Sequence, residues 1–121
     1  TNAVLTSSGG IGYATGQGGT IIQTTSRTTQ VTLNKLTGTI TLFSTTAAAG
    51  VFSFVVNNAQ VAATDTIIVN TKTSTTGTSI YIPAVTQVNA GSFRISVYVP
   101  SAVGTADAPQ INFIVLKGVA A

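Results

Sequence analysis

The sequence predicts an all-β domain: an antiparallel two-sheet sandwich, jelly-roll or other Greek key, of about eight strands, with an extended N-terminal arm. Three observations predict it. Short runs of apolar–polar alternation recur along the chain with turn residues between them. No amphipathic stretch reaches the length of a normal helix. Threonine, a β-branched residue suited to a half-exposed strand, makes up about a fifth of the chain. Alternation with one buried face argues antiparallel pairing, and two packed layers bury such faces. At 121 residues with 44% of them apolar, the length fits one domain with a real core.

Residues 1–19, TNAVLTSSGGIGYATGQGG, are rich in glycine and serine and are expected to form the arm, with the sandwich over 20–121. Val4, Leu5, Ile11 and Tyr13 are apolar anchors in the arm that need a partner surface. Strands follow at 20–25 (TIIQTT), 29–33 (TQVTL) and 39–43 (TITLF), with a turn at 34–38. Residues 44–50 (STTAAAG) read as a loop that could hold one helical turn. The run 51–56 (VFSFVV) places Phe52, Phe54 and Val56 on one face. A near-continuous apolar run at 65–71 (DTIIVNT) reads as a central strand, and 71–77 as an exposed tip.

Pro83 cannot donate to a ladder, so the strand at 78–85 ends there or lies on an edge. The clearest strand is 91–99, with Phe93, Ile95, Val97 and Val99 opposite Arg94, Ser96 and Tyr98. A loop over 101–109 leads to the last strand, 110–116, where Ile111, Phe113 and Val115 share a face. Phe43, Phe52, Phe54, Phe93 and Phe113 are the expected core aromatics.

Charge is scarce. Only 6% of residues are charged, against about 25% in an average domain. The net charge of +3 comes from Arg27, Lys35, Lys72, Arg94 and Lys117 against Asp65 and Asp107. Five cations spread singly along the chain do not make the basic stripe that nucleic-acid binding uses. A weakly charged, hydroxyl-rich surface favours close packing of copies, so a homo-oligomer is expected, with three copies favoured. No apolar run approaches a membrane helix in length, and no basic segment precedes an apolar stretch at Thr1, so neither a membrane partner nor a signal peptide is expected.

The chain contains no His and no Cys, the commonest general base and thiol nucleophile. Two separated aspartates cannot complete a zinc site, and no Asp-x-Asp loop offers calcium its carboxylates. Asp65 and Asp107 read instead as turn and cap residues. A nucleophilic Thr1 acting as its own base is formally available but has no supporting group. In GGIGYATGQGG, Gly12 is followed by Tyr13, Ala14 and Thr15, which misplaces the third glycine of a dinucleotide fingerprint. No enzyme activity, cofactor, metal or small-molecule substrate is expected.

The run GIGYATGQGGTIIQTTSRTTQVTLNKLTGTITL resembles proteins encoded in the structural gene clusters of tailed phages. The resemblance continues through AAAGVFSFVVNN, VAATDTIIVN, VNAGSFRISVYV and INFIVLKGVAA and spans residues 9–121. It implies a virion protein on the capsid surface, a decoration (cement) protein whose partner is the major capsid protein of a phage head. A tail or head-fibre module that binds a receptor or glycan is the alternative, and a secreted bacterial β-domain a third reading. If the arm docks, Val4, Leu5, Ile11 and Tyr13 make the contact. If it does not, Arg27, Lys35 and the loop 71–77 are the expected contact surface.

Overall fold

Alternating side chains give most strands one apolar face, and two four-stranded sheets bury those faces in a shared core. The structure, a computed structural model, describes residues 8–120. Val4 and Leu5 lie outside the described residues. The fold is all-β, with no helix among the described residues. Ten strands form: β1 (Gly18–Ile22), β2 (Val31–Thr32), β3 (Thr37–Thr41), β4 (Thr45–Ala47), β5 (Gly50–Asn57), β6 (Thr66–Thr73), β7 (Ile82–Asn89), β8 (Ser92–Val99), β9 (Val103–Asp107) and β10 (Gln110–Leu116). One sheet has the order β1-β3-β10-β6, the second β2-β5-β8-β7, and β4 and β9 make a two-stranded ribbon.

The expectation of antiparallel pairing throughout does not hold. β1 runs parallel to β3, and β2 runs parallel to β5. The chain leaves the first sheet after β1, adds β2 to the second, and returns for β3. A strand reached by such a crossing can enter beside its predecessor in the same direction, which a tight hairpin cannot do. The one hairpin between sequential strands of a sheet joins β7 to β8, and Gly91 in its turn has φ +82°, where a side chain would be strained. Pro83 lies in β7, an edge strand, as its missing donor requires.

Two strands more than expected come from β4 and β9, in stretches that read as loops. They pair antiparallel with each other across 55 intervening residues, Thr45 with Asp107 and Ala47 with Val103. Neither alternates clearly, so only the partner defines them. Of residues 34–38, expected as a turn, 35 and 36 form a bend, with the Lys35 N–H donating to the Leu33 carbonyl at 2.9 Å, and Thr37 and Gly38 already belong to β3. Gly38 there pairs with Phe113, and a Cβ on it would come within 2.7 Å of Leu33 Cδ2 and 2.8 Å of Phe113 Cε1. The glycine gives the Phe113 ring its room.

Phe54, Phe93 and Phe113 are fully buried, with Ile40, Leu42, Ile95 and Ile111 around them. The Phe93 and Phe113 rings, one from each sheet, meet with centroids 5.4 Å apart at 58°. Phe52 is partly buried against this cluster. Phe43 departs from the expectation. It is half-buried outside the cluster, because Ile40 and Leu42 take the inward positions of that strand.

The N-terminal stretch is not wholly an arm. β1 starts at Gly18 and forms the edge of the first sheet. The Tyr13 hydroxyl donates to the Val115 carbonyl, and Lys35 Nζ donates to the Gly16 carbonyl at 3.0 Å. These contacts tie residues 13–22 to the body of the domain.

Candidate functional site

Most of the few ionisable side chains of this protein are used inside the fold. Asp65 accepts the Ala62 N–H at 2.8 Å and the Gly118 N–H at 3.0 Å, and it pairs with Lys117, whose Nζ also donates to the Gln60 carbonyl at 2.8 Å. That set closes the loop before β6 onto the end of β10. Gly118 is required at the crossing, since a Cβ there would lie 1.8 Å from the Thr64 carbonyl oxygen. The Ala62 N–H first, then Lys117 and the Gly118 N–H, hold the Asp65 carboxyl at about 2, and burial opposes them.

A carboxyl lowered by folding stabilises the fold wherever it is ionised in both states. The stabilisation is complete above the ordinary value of 3.8 and fades as pH falls through about 2. Melting temperatures followed from neutral pH into acid should therefore show the wild type losing its advantage over Asp65→Asn across that window. A gap between the two proteins that stays constant down to the lowest pH would contradict this role.

A second polar cluster surrounds Arg27, which is buried with only 7% of its surface exposed. Its Nε donates to the Phe43 carbonyl at 3.1 Å, and its Nη2 donates to the carbonyls of Thr45 at 2.9 Å and Asp107 at 2.7 Å. The guanidinium lies over the rings of Phe52 and Tyr81, at 5.8 and 5.3 Å from their centroids. Gln23 completes the wall, donating to the Arg27 and Thr29 carbonyls and accepting the Phe43 N–H.

Asp107 accepts the Thr75 N–H at 2.6 Å and the Tyr81 hydroxyl at 3.0 Å. Burial raises its carboxyl, but hydrogen bonds from Thr75 and Tyr81 outweigh burial and hold it below the usual range. Burial and the bond to Asp107 push the Tyr81 hydroxyl up, while Arg27 pulls the other way by less. Both aspartates thus anchor loop N–H groups, the turn and cap roles their sequence context suggests.

The outer faces of the sheets are largely uncharged. On the second sheet the register aligns Val51, Tyr98 and Ile82 in one cross-strand row, 67%, 48% and 50% exposed. The next row holds Ser53, Ser96 and Ala84, with the two serine hydroxyls 2.8 Å apart. Arg94 stands in the row beyond, between Val55 and Gln87. On the first sheet a groove of about 430 Å³ runs over β1, β3, β10 and β6, lined among others by Gly18, Thr39, Asn70, Lys72 and Asn112. Thr39 donates to Asn112 Oδ1 at 2.7 Å across its floor. No group of three or more His, Cys, Asp or Glu side chains that could hold a metal occurs among the described residues.

No family model, no curated protein and no solved structure matches this chain. The geometry therefore carries the assignment, and it does not gather the expected contact residues into one site. Ile11 is 77% exposed and Tyr13 is tied to β10, near Lys35 at the entry to β3. Arg27 sits beyond the other end of β3 and is buried, so it is corrected from a surface contact to a structural residue. Its fork fills with carbonyls because β4 and β9 close over it. The sequence reading missed the Val51–Tyr98–Ile82 row. Tyr98 was legible as outward-facing in its strand, but only the register brings the other two beside it.

Proposed function

We propose that this chain is a non-catalytic virion structural protein, a capsid decoration protein that binds the outer shell of a phage head as a closed homo-oligomer of three copies. Its two four-stranded sheets serve as the two layers of a sandwich that presents its outer faces to neighbours. The single observation that carries the reading is the exposed Val51–Tyr98–Ile82 row. Three large apolar side chains side by side, with Ile80 another 61% exposed just before β7, form a contact patch with no charge in the adjoining row. Such patches on a small domain mark a surface that another protein covers. The resemblance of residues 9–121 to proteins of phage structural gene clusters supplies the setting.

Sedimentation equilibrium tests the assembly. The wild type is expected to be trimeric at micromolar concentration, and Tyr98→Glu monomeric and still folded, because the side chain is 48% exposed on the protomer. The variant's melting temperature should fall only by what assembly contributes to the wild type. A monomeric wild type overturns the oligomer. Counting copies by mass spectrometry in purified particles of the virus that encodes the chain tests the decoration role, which absence from the particles overturns.

A second reading, a tail or head-fibre module that binds a glycan, draws on the groove of hydroxyl, amide and amine groups over the first sheet. Exposed tryptophans for sugar stacking are lacking, since the chain has none. A glycan array without signal above background removes it.

A further inference from the structure

We infer that the outer edge of β1 pairs antiparallel with β1 of a second copy about a two-fold axis, joining two four-stranded sheets into one continuous sheet. Two hydrogen bonds fix which way the strand's backbone groups point. The Gln17 carbonyl accepts the Thr37 N–H at 3.4 Å, and the Gln23 N–H donates to the Thr41 carbonyl at 2.9 Å, both toward β3. Backbone groups alternate along a strand, so Gly19 and Ile21 also point toward β3. The N–H and C=O groups of Gly18, Thr20 and Ile22 therefore point away from it, and they have no hydrogen-bond partner among the described residues. The other sheet edges carry features that discourage pairing. β6 has the exposed Lys72, β7 has Pro83 and a register shift between Val85 and Gln87, and β2 is two residues long. β1, GGTII, has no charge, no proline and an unbroken register with β3.

The strand is complementary to itself in that direction. Antiparallel pairing centred on Thr20 sets Thr20 against Thr20, Gly18 against Ile22 and Gly19 against Ile21. Gly18, Thr20 and Ile22 then form the hydrogen-bonded pairs of the new ladder, so every outward-pointing group of the strand is satisfied at once. Ile22 is 63% exposed in the protomer. At Gly18 a Cβ would meet nothing nearer than Thr37 Cγ2, at 3.5 Å, which leaves room there for the isoleucine opposite. A second copy thus covers Ile22 at both ends of the seam, and no charged side chain of β1 opposes another. The contact is separate from the Val51–Tyr98–Ile82 row, which lies on the other sheet. A seam of five residues per copy buries less than the roughly 1,200 Å² at which stable interfaces begin. It is therefore weak alone and adds to the three-copy assembly only at high concentration.

Amide hydrogen exchange of isotopically labelled protein, measured at micromolar and at near-millimolar concentration, reads this edge residue by residue. The N–H groups of Gly19 and Ile21 should be protected at both concentrations by β3. Those of Gly18, Thr20 and Ile22 should slow by about tenfold at the higher one, the protection reached when free protein stands an order of magnitude above Kd. In a mixture of labelled and unlabelled protein, Ile22 methyls of one copy should show nuclear Overhauser contacts to Gly18 of the other. A parallel or shifted pairing would not give them. Thr20→Lys sets two like charges opposite each other and should abolish the concentration dependence. Because Thr20 is exposed, that variant should keep its fold and its micromolar assembly. Tyr98→Glu, which disrupts the contact of the second sheet, should retain the concentration-dependent protection, so the two interfaces fail separately. Equal protection of Gly18, Thr20 and Ile22 at both concentrations would assign the edge to a segment of the same chain and overturn the proposal. Fast exchange at both concentrations, contacts in another register, or undiminished protection in Thr20→Lys would overturn it as well.

Discussion

Phe93→Ala is expected to cost about 3–5 kcal/mol of folding stability, the usual price of emptying a core aromatic site. Phe93 is 1% exposed and lies on the inward face of β8, a strand paired on both sides. Its ring packs on Phe113 from the opposite sheet, so truncation opens a cavity at the seam between the layers. Paired strands on both flanks hold β8 in place, which leaves the backbone little freedom to collapse into the space. Denaturant titrations should show the midpoint falling with the slope retained. A loss below about 1 kcal/mol would mean the site relaxes almost completely, against the close packing of both layers.

Arg27→Met should cost a comparable amount, about 3–5 kcal/mol, for a different reason. Methionine nearly matches the arginine stem in length, so the loss reports hydrogen bonding more than volume. The carbonyls of Phe43, Thr45 and Asp107 would lose their donors together at the junction of β3, β4 and β9. An exposed arginine, the reading its sequence neighbours invite, would change stability by no more than about 0.5 kcal/mol. Thermal melts of the single variant therefore separate a buried clamp from a surface charge.

Legibility in the sequence followed locality. β10 is legible to the residue, because Ile111, Phe113 and Val115 alternate cleanly and become the buried positions of that strand. β8 is nearly as clear, with Gly91 belonging to its turn. β7 is displaced toward the C-terminus of the expected 78–85, since Tyr81 turns inward to meet Asp107 before pairing begins. β4 and β9 carry no periodic signal in STTAAAG or around Gly104, and each exists because the other lies beside it. The same limit hid the candidate contact surface, whose members come from three strands.

The sequence by itself determined that this is a β protein with one apolar core, with Phe54, Phe93 and Phe113 in it. It also determined that the chain carries only five cationic and two anionic side chains, with no His and no Cys. Period-two alternation and composition are local quantities, readable one strand at a time. The tertiary structure alone decided the parallel placement of β1 beside β3, the burial of Arg27, and the alignment of Val51, Tyr98 and Ile82. Each of these depends on which distant segment packs against which. Sheet pairing is a long-range choice, made by the summed fit of whole faces, and a single strand carries too little of that energy to announce its neighbour.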